Sequence, residues 1–293
     1  MKRSIILLIA LIPSFFHSFI PSSFFSAVCA ETTTVRINSL WYTIDTDQLV
    51  AEVVQQPANG KPIRRKEGKL TIPKTVKYEN QTYTVIGVGR IAFEKWDKVT
   101  EIVLSDQLQY IDQGAFAACT SLQKVTIPEN LRAIGSGAFA LCKNLQSVHW
   151  KAVDCHTLYY EDPRQGVTQA DQAYVSPFQN CPKLTSITFG KKVETIPEFM
   201  LNIGKNHIKE ITLPETLKTI GDRAFFGLQI KQITIPASVI EIGEYAFANC
   251  AKLKHVLFQS PLWTKAGKET WFAGTGATIE SILMPGESVH IEQ

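Results

Sequence analysis

The sequence lacks a marked excess of charge of either sign. Its 293 residues include 30 Lys and Arg against 27 Asp and Glu, and 28 basic residues remain once Lys2 and Arg3 leave with the leader described below. Nucleic-acid-binding domains carry concentrated positive charge, so this balance argues against a nucleic-acid partner. Long apolar runs are also lacking beyond residue 30, where none reaches the roughly 18 residues of a membrane-spanning helix. We therefore predict a globular protein with no stable membrane span after the leader.

The sequence also lacks the local patterns that carry chemistry. No HExxH, G-x-S-x-G or phosphate-loop pattern occurs, and the cysteines are not spaced as in a zinc knuckle or a CxxC redox motif. His149 and His255 fall four turns apart in the repeat described below, a separation of about 19 Å at the spacing of parallel strands. That distance excludes a shared metal or catalytic pair. We predict no catalytic residues, no metal site and no cofactor, and hence no enzyme.

The first thirty residues are typical of an export signal. Two basic residues precede an apolar run at positions 5–12, and Val28 and Ala30 occupy the −3 and −1 positions before a signal-peptidase site. We predict cleavage after Ala30 and export of residues 31–293, to be secreted, held at the cell surface or kept in the periplasm. Two alternatives stay open, namely an uncleaved anchor and a lipoprotein acylated at Cys29; Val28 disfavours the second.

A motif that recurs about every 23 residues dominates the rest of the chain. Residues 111–128 and 134–150 align on the frame Ile-Gly-x-x-Ala-Phe-x-x-Cys-x-x-Leu-x-x-Val-x-Ile-Pro. The first copy has Asp112 in place of the Gly, and the second copy has Trp150 in place of the last Ile and no Pro. The Phe position falls at residues 93, 116, 139, 178, 201, 225, 247 and 272, with Leu at 201. This periodicity predicts eight turns, one of which carries an insertion of 16 residues.

The frame predicts the structure of each turn. Val125 and Ile127 alternate with Lys124 and Thr126. The first pair therefore shares the face of the strand that points into the fold, and the second pair faces solvent. Pro128 ends the strand because proline cannot donate to a ladder. One turn cannot bury its own apolar face, so the stack of turns is the folding unit.

We therefore predict a β-rich solenoid of about eight turns with a parallel β-sheet on one face. The solenoid spans residues 85–285 and contains the insertion at 151–175. Residues 31–84 lack the frame but alternate apolar and polar residues around turn signals, which predicts an N-terminal β-hairpin cap. Residues 286–293 are predicted to form a C-terminal tail.

The repeat frame resembles the BspA-type leucine-rich repeat of exported bacterial surface proteins. Ile, Gly, Ala, Phe, Cys, Leu and Pro recur in register from about residue 85 to residue 285, although the turn at Leu201 lacks both the Phe and the Cys. The resemblance implies a leucine-rich-repeat fold and extracellular partners, such as host matrix proteins, host cell surfaces or other bacteria. It favours a non-enzymatic binding or adhesion protein. A periplasmic accessory protein and a glycan-binding module are the alternatives.

Four cysteines share one place in the repeat, three residues after the Phe position: Cys119, Cys142, Cys181 and Cys250. We interpret them as small core side chains. Disulfides between stacked turns stay open, because a strand spacing of about 4.8 Å lies within the range of Cα distances that a disulfide bridges.

The outward positions of the predicted strands form a candidate binding face. One column consists of Glu101, Lys124, Ser147, Ser186, Glu210, Gln232, His255 and Ser281, and the next of Val103, Thr126, His149, Thr188, Thr212, Thr234, Leu257 and Leu283. Neither column has an aromatic row or a stripe of one charge. Lys124, His149 and His255 are our candidate ligand-binding residues on this face.

The insertion is the second candidate binding element. Long loops in repeat proteins often carry function. This one concentrates Tyr159, Tyr160, Glu161, Asp162 and Arg164, a mixture in which the aromatic residues and arginine are enriched at protein interfaces. We predict that these residues contact an extracellular protein or a cell surface. The alternative is a loop whose tyrosines simply pack on the solenoid.

Overall fold

The computed structural model describes residues 32–60, 67–158, 175–203, 207–264, 267–281 and 288–290. Within these residues the chain is almost entirely short strands and turns. The strands are β1 (Thr32–Ile37), β2 (Leu40–Asp45), β3 (Val50–Val54), β4 (Gly68–Thr71), β5 (Thr75–Tyr78), β6 (Gln81–Val88), β7 (Val99–Val103), β8 (Tyr110–Ile111), β9 (Lys124–Ile127), β10 (Ala133–Gly135), β11 (Ser147–Trp150), β12 (His156–Leu158), β13 (Ser186–Phe189), β14 (Thr195–Ile196), β15 (Thr219–Ile220), β16 (Gln232–Ile235), β17 (Glu241–Ile242), β18 (His255–Phe258), β19 (Thr278–Ser281) and β20 (Ser288–His290). A 3-10 turn (Pro261–Thr264) and one short helix, α1 (Lys268–Trp271), precede β19.

Successive turns of the repeat stack through parallel strand pairs. One sheet has the order β13-β11-β9-β7-β4, and a second runs β1-β2-β3-β6-β8-β10-β12 with β5 also paired to β6. Two further sheets, β14-β15-β17 and β16-β18-β19-β20, continue the stack towards the C-terminus. Strand β9 ends at Ile127, directly before Pro128, as predicted. The predicted β-rich solenoid with parallel sheets is confirmed.

The N-terminal strands form the predicted antiparallel hairpins. Strand β2 pairs antiparallel with both β1 and β3, and β5 pairs antiparallel with β6. Strand β3 then pairs in parallel with β6, which joins these hairpins to the first turn of the repeat. The other end is also antiparallel, because β20 folds back on β19.

The repeated phenylalanines stack inside the solenoid in two groups. Consecutive ring centroids from Phe93 through Phe116 and Phe139 to Phe178 lie 5.2, 5.1 and 5.7 Å apart. Those from Phe225 through Phe247 to Phe272 lie 5.1 Å apart at each step. Leu201 separates the groups, and Phe189 meets Phe225 edge-on at 6.4 Å. The aromatic column is therefore interrupted in the middle of the solenoid.

The four repeat cysteines are buried, free thiols. Each donates a hydrogen bond to the carbonyl oxygen of a core phenylalanine in the preceding turn: Cys119 to Phe93, Cys142 to Phe116, Cys181 to Phe139 and Cys250 to Phe225, at 3.2–3.5 Å. Burial raises the pKa of the Cys250 thiol to about 12. The interpretation as core thiols is confirmed, and the described cysteines form no disulfide.

The parallel sheet on the exposed face is not continuous, which differs from the sequence-based expectation. Residues 210–213 match a strand in sequence but pair with neither β13 nor β16 among the described residues. This turn carries one extra residue. The buried aliphatic that precedes the strand follows the core phenylalanine by six positions at Leu122, whereas its counterpart Ile208 follows Leu201 by seven positions.

The extra residue shifts the main chain without changing which side chains are inside. His207 stands six positions after Leu201, where the regular turns bury leucine, and it is exposed. Ile208, Ile211 and Leu213 are buried at the same mutual spacing as Leu122, Val125 and Ile127. The core therefore stays filled while the ladder of backbone hydrogen bonds is broken.

Candidate ligand-binding surface

The proposed anchor residues of the insertion, Tyr159, Tyr160, Glu161, Asp162 and Arg164, lie outside the described residues. The start of the insertion is described, because β12 pairs with β10 in parallel and continues that sheet. Cys155 is buried just before β12, and Thr157 Oγ1 donates a hydrogen bond to the carbonyl oxygen of Glu198 at 3.1 Å. The chain that leads into the insertion is therefore fixed to the solenoid on both sides.

A polar cluster around Asp154 reinforces this attachment. Asp154 accepts a hydrogen bond from Thr195 Oγ1 at 2.7 Å, and His156 Nε2 lies 3.1 Å from its Oδ1 atom. Arg132 Nη1 lies 3.7 Å from the other carboxylate oxygen. The hydrogen bond from His156 is the main reason that the pKa of Asp154 falls to about 2, and the same bond raises the pKa of His156. Asp154 and His156 therefore form an ion pair when the histidine is protonated.

The three candidate residues of the strand face are not brought together. Lys124 on β9 lies opposite Glu101 on one side and Ser147 on the other. His149, on the adjacent strand β11, places Nδ1 2.7 Å from Thr188 Oγ1 of β13. His255 lies on β18, in a different sheet beyond the break. The structure thus puts Lys124 and His149 in one sheet and His255 in another.

A groove opens where the ladder is broken. It has a volume of about 1140 Å³ and lies between β13 and the segment 207–215. All of residues 185–189 line one wall, although successive side chains of a strand point to opposite faces. A wall made of five consecutive residues therefore presents the edge of β13, including its main chain. Ile187 and Leu213 make the inner part apolar.

A column of lysines adjoins this groove. Lys209, Lys231 and Lys254 occupy equivalent positions just before the outward residues Glu210, Gln232 and His255, and all three lysines are exposed. The backbone N–H of Lys254 donates to the carbonyl oxygen of Lys231 at 2.9 Å, so these two lysines lie on adjacent turns. No ion pair forms at any of the three within the described part of the chain. We call Lys209, Lys231 and Lys254 the lysine column.

The lysine column was missed by the sequence-based prediction. The two outward columns do lack a stripe of one charge, but the lysines lie one position earlier in the frame, where the preceding turns carry Gln123, Gln146 and Thr185. In this third column, positive charge is therefore limited to the C-terminal half of the solenoid. The signal was present in the sequence as a third column.

A second titratable cluster lies where the N-terminal hairpins join the repeat. Burial, with a further contribution from Asp112, raises the pKa of Glu52 to about 8, although Tyr110 donates a hydrogen bond that opposes the rise. Gly87 and Gly89 allow this packing. A Cβ added at Gly87 would lie 2.0 Å from the Tyr110 ring, and one added at Gly89 would lie 2.8 Å from a Glu52 carboxylate oxygen. The cluster joins β3 to the first turns.

Across the described ranges no three His, Cys, Asp or Glu side chains are grouped so that they could hold a metal ion. Among the described residues, no helix is long and apolar enough to cross a membrane. The arrangement of strand face, groove and lysine column suits non-covalent binding.

Solved structures of bacterial repeat proteins resemble this one. A leucine rich cell surface protein from Faecalibacterium prausnitzii is 25% identical with a TM-score of 0.55, over 78% of this chain and 55% of that one. This chain thus spans about half of that protein. The T. pallidum leucine rich repeat protein shares the fold, at 17% identity and a TM-score of 0.51, over 75% of this chain and 91% of that one. No curated protein matches the sequence.

The sequence also matches a family model over most of its length. The BspA type leucine rich repeat region matches in six copies, over residues 71–159 and 174–293. The two matched ranges include the strand face, the groove and the lysine column. The resemblance inferred from the repeat frame is therefore confirmed, and the chain belongs to the BspA-type leucine-rich repeat family.

Proposed function

We propose that this protein is an exported, non-enzymatic binding protein that recognises an extracellular protein or a cell surface. The observation that carries the proposal is the groove beside β13, because it combines exposed polar side chains with an apolar interior and an unpaired strand edge. Such a surface can hold a polypeptide without any chemical step. The similar Faecalibacterium protein is a cell surface protein, which supports the proposed location.

The insertion is the second element that we assign to binding. Tyr159, Tyr160 and Arg164 are of the residue types that most often anchor protein interfaces. The described start of the insertion is held by β12 and by the Asp154 cluster, so the loop leaves from a fixed point. A fixed point of departure lowers the conformational entropy that is lost on binding.

The test compares binding of residues 31–293 and of matched variants to immobilised extracellular matrix proteins and to host cells at physiological salt. One variant replaces residues 159–174 with a short Gly/Ser linker and spares β12 and the buried Cys155. A second replaces Lys231 and Lys254 with glutamate. A control replaces Lys77 and Lys143, which are exposed elsewhere, with glutamate. Circular dichroism must first show that all four proteins are folded.

The proposal predicts binding by the parent and by the control, and at least tenfold weaker binding by one of the first two variants. Loss in the insertion variant alone assigns recognition to the loop, and loss in the lysine variant assigns it to the strand face. Absence of binding to every surface by the folded parent would refute the proposal. N-terminal sequencing of the exported protein tests the predicted mature start at Glu31.

A further inference from the structure

The edge of β13 that faces the groove is free of strand pairing. Strand β13 pairs with β11 on one side and is the last strand of its sheet. Beyond the break, β16 is likewise the first strand of the next sheet, and residues 210–213 between them join neither ladder in the described chain. An unpaired edge presents a row of N–H and C=O groups that can pair with another chain.

The open shape of the groove favours a polymer over a small molecule. Pockets for small ligands usually enclose about 300–1,000 Å³ and bury most of the ligand, whereas this groove has about 1140 Å³ and runs open along a strand. Its inner side is already occupied, since Ile187 and Ile211 are buried on either side. An occupant would therefore be held through its main chain along the edge rather than through a side chain in a deep pocket.

The charges around the groove select the kind of chain. Glu210 and Glu215 lie in its wall together with Lys191 and Lys209, so the groove itself is close to neutral. The excess positive charge lies at one end, where Lys209 begins the lysine column that continues at Lys231 and Lys254. Like charges on neighbouring turns repel one another, and an anionic partner relieves that repulsion.

We propose that the groove captures an extended segment of a partner protein by strand addition to β13, and that an acidic run at one end of that segment binds the lysine column. The inference rests on the proposed function and names the partner's chemistry. Main-chain hydrogen bonds to the β13 edge supply affinity, as in other cases of strand addition. The acidic run fixes which end of the segment lies beside Lys209.

The test uses fluorescent twelve-residue peptides and the full mature protein. The parent peptide joins four Asp or Glu residues to an alternating Thr-Val segment. A charge-reversed control replaces the acids with lysines, and a neutral control replaces them with serines. Two further peptides carry N-methyl groups on alternate amides, one set in each, because alternate amides of a strand point to the same edge. Fluorescence anisotropy gives the dissociation constants at low and physiological salt.

We expect the acidic peptide to bind at least tenfold more tightly than the lysine peptide. At least one of the two N-methylated peptides should bind at least tenfold more weakly than the parent peptide. Replacing Lys231 and Lys254 with glutamate weakens binding of the acidic peptide at least tenfold. The same replacement changes the dissociation constant of the neutral peptide by less than twofold. The control that replaces Lys77 and Lys143 changes neither. Amide hydrogen exchange of β13 slows when the peptide binds.

Several outcomes overturn the inference. Equal binding by the unmodified peptide and both methylated peptides removes strand addition. Binding of heparin through the lysine column without binding of any peptide assigns the surface to an anionic polysaccharide. Concentration-dependent dimerisation that protects β13 assigns the edge to a second copy of this chain. If the folded parent binds matrix proteins but no peptide, the proposed function stands and this inference fails.

Discussion

The interior phenylalanine column predicts a steep dependence of stability on one side chain. Phe139 has no exposed surface, and its ring lies between Phe116 at 5.1 Å and Phe178 at 5.7 Å. Phe139→Ala removes the burial of a large side chain and leaves a cavity, at a cost of about 3–5 kcal/mol. Both stacked contacts are lost as well, so we expect a value near the upper end, about 5 kcal/mol.

A matched substitution separates this effect from a general loss of aromatic surface. Phe189 is only partly buried and has one edge-on contact, with Phe225 at 6.4 Å. Phe189→Ala should therefore cost about 1–2 kcal/mol, since less apolar area returns to water. Total stabilities are commonly about 5–15 kcal/mol, so Phe139→Ala should remove a third or more of it.

Urea unfolding of residues 31–293 followed by circular dichroism measures both losses. At roughly 2–4 °C per kcal/mol for a chain of this size, Phe139→Ala should also lower the melting temperature by about 10–20 °C. Phe139→Leu, which retains much of the volume, should fall between the two alanine variants. If Phe139→Ala costs less than about 2 kcal/mol, or no more than Phe189→Ala, the stacked column is not the main source of stability that the structure indicates.

Two further predictions concern pH. Because the pKa of Glu52 is raised from 4.5 to about 8 in the folded protein, its neutral form favours folding below pH 4.5, and this contribution is lost as the pH rises through about 8. Stability should therefore fall from pH 5 to pH 8, and Glu52→Gln should flatten that slope in urea titrations; an unchanged slope would contradict the assignment. The carboxylate of Asp154, with a pKa of about 2, favours folding above its unfolded value near 4, and this contribution is lost as the pH falls through 2. The pKa of its partner His156 is raised, so an NMR titration should give a value above 6.5 that falls in Asp154→Asn; equal values in both proteins would refute the pair.

Much of the fold could be predicted from the sequence because every turn repeats the same physical solution. Phe116 and Phe139 occupy equivalent positions, so a single reading of the frame predicted the interior column. Pro128 likewise indicated the end of a strand. The exposure of Glu210 and Thr212 was also predicted correctly, since side-chain alternation survives in the broken turn.

The break in the ladder could not be predicted from side-chain alternation. The extra residue before Ile208 leaves the buried positions intact and changes only which main-chain groups can meet. The cluster of Glu52, Tyr110 and Asp112 was missed for another reason. Glu52 belongs to the N-terminal hairpins, which lack the repeat, so no frame places it beside Tyr110 across 58 positions of sequence.

The hydrogen-bonded thiols have a consequence for how the protein reaches its native state. Small exported domains often depend on disulfides, and their folding then waits for an oxidant and for the exchange of wrongly paired sulfurs. Here the sulfur atoms of the described cysteines bond to main-chain carbonyl oxygens within an apolar stack. Assembly can therefore propagate from turn to turn. The native state contains no disulfide among the described cysteines, so the stacking of these turns does not have to wait for an oxidation step.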